Sequence, residues 1–155
     1  MAYWLMKSEP DVFGIDDLAK LKAKTTHWDG VRNFQARNFM RDGMRRGDLA
    51  FFYHSSCDEP GVAGIVEIVK EGYPDSTAFD QNDPHFDPDS DRSKPRWYMV
   101  DLKLVRKFRR TITLATLREH EQRALKGLAL LKRGNRLSIT PVSAAHWKFI
   151  VDLAE

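Results

Sequence analysis

Cysteine is almost missing from this chain of 155 residues: Cys57 stands alone. No internal disulfide can form, and no Cys/His cluster has zinc spacing, so a domain held by staples or by a structural metal is excluded. Such sparing use of cysteine fits a reducing compartment. Long apolar runs are missing too. The N-terminal Met-Ala-Tyr-Trp-Leu-Met meets Lys7 after six residues, too early for a signal peptide or a membrane span. The expectation is a cytoplasmic protein that does not engage a membrane. There is no internal repeat and no linker, and a hydrophobic content of 42% over 155 residues allows one core that buries roughly two-thirds of the unfolded chain's surface. A single unit spanning 1–155 is expected, with a monomer favoured.

Net charge is nearly absent at +3, yet it is unevenly spread: residues 1–91 carry 10 Lys/Arg against 17 Asp/Glu, and residues 92–155 carry 15 against 5. A polyanion meeting one side of the molecule would fit this asymmetry, because phosphate neutralisation supplies most sequence-independent affinity for nucleic acid. A solvated basic face accounts for it equally well.

Several strands are legible. Tyr3–Lys7 is short and apolar and ends at Ser8-Glu9-Pro10, where proline cannot continue a central ladder. The runs Leu49–His54, Gly61–Val69 and Trp97–Phe108 have strand composition, and Arg136–Thr140 reads as a last strand. Helices are predicted over Ile15–Leu21, Phe34–Met44, Thr113–Glu121, Leu125–Lys132 and Ala144–Leu153, the last capped by Ser143. Residues 74–96 hold four prolines and six aspartates and read as a mobile surface excursion. Strands without regular βαβ alternation point to an α+β fold: a small mixed β-barrel of about five or six strands with short helices around it.

Four segments together resemble the EVE family: YWLMKSEP at 3–10, WDGVRNFQARN at 28–38, FFYHSS at 51–56 and RLSITPV at 136–142. Their order and spacing cover nearly the whole chain. The resemblance implies a PUA-like barrel related to the ASCH and YTH domains, of a kind implicated in recognising modified bases in DNA or RNA. Phe34 stands where the family commonly has Tyr, and the 75–95 excursion is longer than the family's usual connection. Because the chain starts directly at the resemblance, a free-standing member of bacterial type is expected.

A pocket for one base needs aromatic faces and a few polar groups, since a base taken out of its stack must regain that energy inside the protein. Trp4, Trp28, Tyr53 and Trp97 are the candidate faces, although each fits a core position as well. Trp28 is preferred because it precedes Asp29-Gly30 in a polar loop. Base-edge recognition is assigned to Lys7, Ser8, Glu9, Asn33, Gln35, His54 and Ser55, which mix donors and acceptors. Ser8-Glu9-Pro10 also fits a plain turn and Asn33 a helix N-cap. Through the resemblance, Arg136, Leu137 and Ser138 add a wall and a hydroxyl. Phosphates are assigned to Arg32 and to a stripe of Arg37, Arg41 and Arg45, which is equally readable as a solvated helix face.

Catalysis lacks a motif: no nucleophile elbow or Cys-protease signature surrounds His54 and Cys57. Asp87, Asp89 and Asp91 fail as a calcium loop, because Arg92 and Tyr98 stand where Gly and Glu are needed. The reading is a non-enzymatic nucleic-acid binder, without cofactor or metal, that accepts a modified nucleobase. A nucleotide-like small-molecule binder and a protein-interaction module remain as alternatives.

Overall fold

A computed structural model describes residues 1–155. Its framework is a six-stranded mixed sheet: β1 (Tyr3–Ser8), β2 (Thr25–His27), β3 (Leu49–His54), β4 (Gly61–Pro74), β5 (Tyr98–Thr113) and β6 (Ile139–Val142). The order across the sheet is β2-β5-β4-β3-β1-β6, with β1 parallel to β3 and every other pair antiparallel. The α+β class and strand count are those read from the sequence. The barrel is open, since β2 and β6 form its two edges and do not pair. Around it lie α1 (Pro10–Phe13), α2 (Ile15–Lys20), α3 (Phe34–Asn38), α4 (Leu114–Arg118) and α5 (Ala144–Leu153). No helix is long and apolar enough to cross a membrane.

The dense Leu-Ala-Phe-Phe-Tyr run in β3 follows from burial on both faces. Ala50 and Phe52 join Trp4, Met6, Val66 and Leu102 in one cluster, which α2 and α3 cover with Leu18 and Ala36. Phe51 and Tyr53 join Leu5, Val62 and Phe108 in the other, covered by Leu117 of α4 and by Trp147 and Ile150 of α5. A strand buried twice has no polar alternation to show. β4 and β5 are long, and four register shifts between them bend and twist the pair. Beyond Glu67 their far halves run on together, and β2 pairs with β5 there.

Three predicted elements change. The single helix over 34–44 is α3 followed by a π-helical turn, Phe39–Gly43, in which Met44 N–H donates to the Phe39 carbonyl at 2.7 Å. Leu125–Lys132 is not helical: Gly127 has φ +86° and only a 3-10 turn forms at Ala129–Leu131. Leu125, Leu128, Leu130 and Leu131 are all buried, so the apolar spacing reports an irregular lid on the core. The last strand starts at Ile139, which leaves residues 136–138 outside the sheet, and Pro141 is tolerated because β6 is an edge. β2 escapes sequence reading because three residues show no alternation.

The excursion is held by hydrogen bonds of its own and to Trp97. Asp80, Asp83, Asp87 and Asp91 each accept a backbone N–H two residues on, the Asx-turn geometry. Asp75 N–H donates to the Trp97 carbonyl at 2.9 Å, and Trp97 Nε1 donates to Asp87 at 2.6 Å.

Candidate functional site

Because β1 and β3 are parallel, both strands leave the sheet at the same end, with Lys7 beside Tyr53 and Ser8 beside His54. The chain enters β6 there as well: Lys7 N–H donates to the Ser138 carbonyl at 2.8 Å, and Ser55 N–H to the Ser8 carbonyl at 2.9 Å. Three of the four quoted segments thus meet at one edge of the sheet. The fourth arrives through β2, where Trp28 N–H donates to the Val100 carbonyl at 2.7 Å. A cavity of about 440 Å³ opens between the segments at 3–10, 28–38 and 136–142, a size usual for small-ligand sites.

Lys7, Ser8, Glu9, Trp28, Arg32 and Ser138 line this cavity. Trp28 is 8% exposed. It is braced edge-on by Phe52 at 5.5 Å and Phe13 at 6.4 Å between ring centroids, so little of the indole beyond its cavity edge is open. The Ser8 hydroxyl donates to the Phe13 carbonyl at 2.6 Å, closing the one-turn helix α1 and keeping lone pairs for a ligand. Lys7 is half-buried, makes no side-chain hydrogen bond or ion pair, and has its pKa lowered by burial. An amine held this way favours a hydrogen-bond acceptor or an anion beside it.

Arg32 lines the wall but its donors are spent. Its guanidinium meets Asp75 at 3.0 Å, Thr77 Oγ1 at 3.2 Å, the Val31 carbonyl at 3.0 Å and the His85 carbonyl at 2.7 and 3.1 Å. Asp75, fully buried, also accepts from Gly30 N–H at 2.8 Å and from Thr77 N–H and Oγ1 at 2.9 and 2.6 Å. Burial pushes the Asp75 carboxyl up, but the hydrogen bonds from Thr77, Gly30 and Arg32 outweigh it and hold the pKa below the usual range. This ion pair ties the excursion to the cavity wall and brings His85 to its mouth. Gly30 is required twice over: its φ is +80°, and a Cβ there would stand 2.6 Å from His85 Cε1.

The other assigned residues lie elsewhere. Trp4 is core, its Nε1 donating to buried Asp48 at 3.1 Å. Trp97 is also buried, and its ring stacks on Phe34 at 4.8 Å. His54 Nε2 accepts the Ile15 N–H at 3.1 Å at the start of α2; burial lowers its pKa, and the neutral ring is the form that can accept. Asn33 caps α3 by accepting from Ala36 N–H at 3.0 Å. Gln35, Arg136 and Leu137 do not reach the cavity. Tyr53 and Ser55 line a second cavity that Lys7 shares, and burial raises the Tyr53 pKa to about 12.

The arginine stripe is largely spoken for. Arg37 donates to the Arg96 carbonyl at 2.6 Å, Arg41 grips Asp42 at 2.9 and 2.8 Å, and Arg45 lies 4.0 Å from Glu71.

Sequence reasoning missed Val12, Phe13, Thr26, His27, Asp29, Val31 and His85 as lining residues. Asp29 and Val31 were within reach, as both belong to the loop that was singled out. Phe13 sits on a helix of four residues with Pro10 first, too short for periodicity, and His85 lies some fifty residues along the chain.

Comparison with known proteins finds the same fold elsewhere. The EVE domain model matches residues 2–153. Human thymocyte nuclear protein 1 is 47% identical over 169 residues, covering 99% of this chain and 74% of its own length; the zebrafish (Danio rerio) protein of that name is 48% identical over 165 residues, covering 97% and 71%. The structure of the human protein in complex with 5-methylcytosine-containing DNA aligns with a TM-score of 0.95 at 47% identity, covering 100% of this chain and 98% of that one. A crystal structure from Pseudomonas putida aligns at 0.93 and 47%, covering 99% and 100%.

Proposed function

The chain belongs to the EVE domain family, and from that premise we propose that it binds nucleic acid and receives one modified base, a 5-methylcytosine, in the 440 Å³ cavity at the shared end of β1 and β3. One observation carries the reading: the aligned human relative was solved with 5-methylcytosine-containing DNA, and this chain has a base-sized cavity with an aromatic edge and an unpaired amine. Phe13, Trp28 and Val31 supply apolar contact for a ring and its methyl group. Lys7 and Ser138 donate toward the acceptor atoms of the cytosine edge, and Glu9 or Asp29 accepts from its exocyclic amine. These contacts offset the stacking and pairing lost when a base leaves the helix.

Direct binding tests this. Fluorescence anisotropy with short duplexes carrying cytosine or one 5-methylcytosine is expected to show tighter binding to the methylated duplex. Glu9→Gln and Ser138→Ala, at residues outside the core, are expected to erode affinity for the methylated duplex by about tenfold, since one well-placed base contact contributes about 1–3 kcal/mol of discrimination. Equal binding of both duplexes by the unmodified protein would refute recognition of the methyl group. Trp28→Ala is a poor probe here, because removing a braced core indole costs about 3–5 kcal/mol of stability.

A further inference from the structure

A second cavity, of about 420 Å³, lies at the same end of the sheet, and Lys7 lines both. Its walls are the chain leaving β3 (Tyr53, Ser55, Ser56), the α4 residues Leu114 and Arg118, and the turn at residues 132–135. The two cavities differ in charge. In the first, Lys7 and Arg32 face Glu9 and Asp29; in the second, Lys7, Arg118, Lys132 and Arg133 line the walls and no Asp or Glu does. Lys132 and Arg133 are exposed and take part in none of the ion pairs, while Arg118 has Glu121 at 3.4 Å. The segment that carries Lys132 and Arg133 supplies no counter-charge of its own, as residues 122–151 contain Arg123, Lys126, Lys132, Arg133, Arg136 and Lys148 but no Asp or Glu. Cations gathered around a concave, partly desolvated surface repel one another, and an entering anion relieves that repulsion.

We propose that this second cavity binds a backbone phosphate of the strand whose base enters the first, with Arg118, Lys132 and Arg133 as its cationic rim and Lys7 between base and phosphate. The assignment rests on the base-binding reading for the source of the phosphate. It moves the phosphate contact away from Arg32, whose donors are bound to Asp75, Thr77 and two carbonyls, and away from the arginines around α3, whose partners are already in place. Adjacent placement suits the ligand, because a nucleotide's base and phosphate are covalently joined and must be held by neighbouring sites.

The test uses Lys132→Ala/Arg133→Ala, two exposed positions whose loss leaves the core intact, with duplex binding measured between 50 and 200 mM salt on the scale where counterion release is read, about one unit of salt slope per phosphate contact. The variant is expected to bind methylated and unmethylated duplexes more weakly by the same factor, about tenfold, with its salt slope reduced by about 1 and its methyl preference unchanged. Separately, pyrophosphate is expected to shift the amide resonances of Ser55, Ser56, Gly134 and Asn135 in the unmodified protein and not in the variant. If the unmodified protein binds DNA and the variant matches it in affinity and slope, the phosphate site is overturned while the base reading stands. If the unmodified protein binds no nucleic acid, the base reading and the backbone source both fall. Shifts with pyrophosphate then assign the cavity to a free phosphate, and their absence removes the anion site altogether.

Discussion

Arg32 shows how far a residue's role depends on its neighbours. In the sequence it is a free cation beside a helix start; in the structure it binds buried Asp75 and the His85 carbonyl, and so builds the cavity rather than filling it. Asp75→Asn keeps the shape but leaves the guanidinium without its counter-charge. Breaking a buried pair by removing one partner costs about 3 kcal/mol or more, so a fall in Tm of about 10 °C is expected by calorimetry. A Tm within a degree or two of the parent would mean that Arg32 finds another anion. His54 teaches the same lesson: a titratable residue at a strand end looks functional until its acceptor nitrogen is found on the Ile15 N–H. Trp28 and Ser138 could be singled out in advance because loop position and family resemblance mark them, whereas Phe13 and His85 carry no local mark.

Among the elements, those whose caps and periodicity agree with their packing were legible. Ser143 caps α5 by accepting from His146 N–H at 3.1 Å, and the helix stacks Trp147 on Phe51 at 3.9 Å and on Tyr3 at 4.6 Å. Ser143→Ala is expected to destabilise the protein by about 1 kcal/mol, a Tm shift of about 3 °C, with DNA affinity unchanged because α5 lines neither cavity at the site. Where packing overrides local pattern, the reading failed. The turn after α3 is π-helical, and it packs so closely on β4 that a Cβ at Gly72 would stand 2.4 Å from the Met40 carbonyl oxygen. The leucines at 125–131 have helical composition, but burial over the sheet, not periodicity, sets their places.

At the scale of the whole molecule, acid stability follows from which groups are held charged and which neutral. The Asp48 carboxyl is pushed up by burial, but hydrogen bonds from Ala2, Arg45 and Trp4 bring it below its usual value; Asp75 is depressed in the same way. Both are carboxylates whose unfolded pKa is about 3.9. Their contribution is complete above that pH and is lost as pH falls through it toward the lower folded values. His54, neutral in the fold with a lowered pKa, is protonated first in the unfolded chain, so it removes stability as pH drops below about 6.5. Urea unfolding midpoints are therefore expected to hold near pH 7, decline slightly below about 6.5, and fall steeply below about 4. A midpoint that rises between pH 7 and 5 would contradict the neutral, accepting role of His54.

The sequence alone determined the class of fold, the strands buried on both faces, the α5 cap and the family, since these depend on composition, period and motif order within short windows. It also determined that the basic charge sits in the second part of the chain. Only the tertiary structure decided which residues share a cavity. A parallel β1–β3 pair brings Lys7 and Tyr53 together across some forty-five residues, the β6 register adds Ser138, and a buried ion pair carries His85 in from the excursion. Contacts of that length depend on strand order and on where buried charges find partners, and neither is written in any local stretch of the chain.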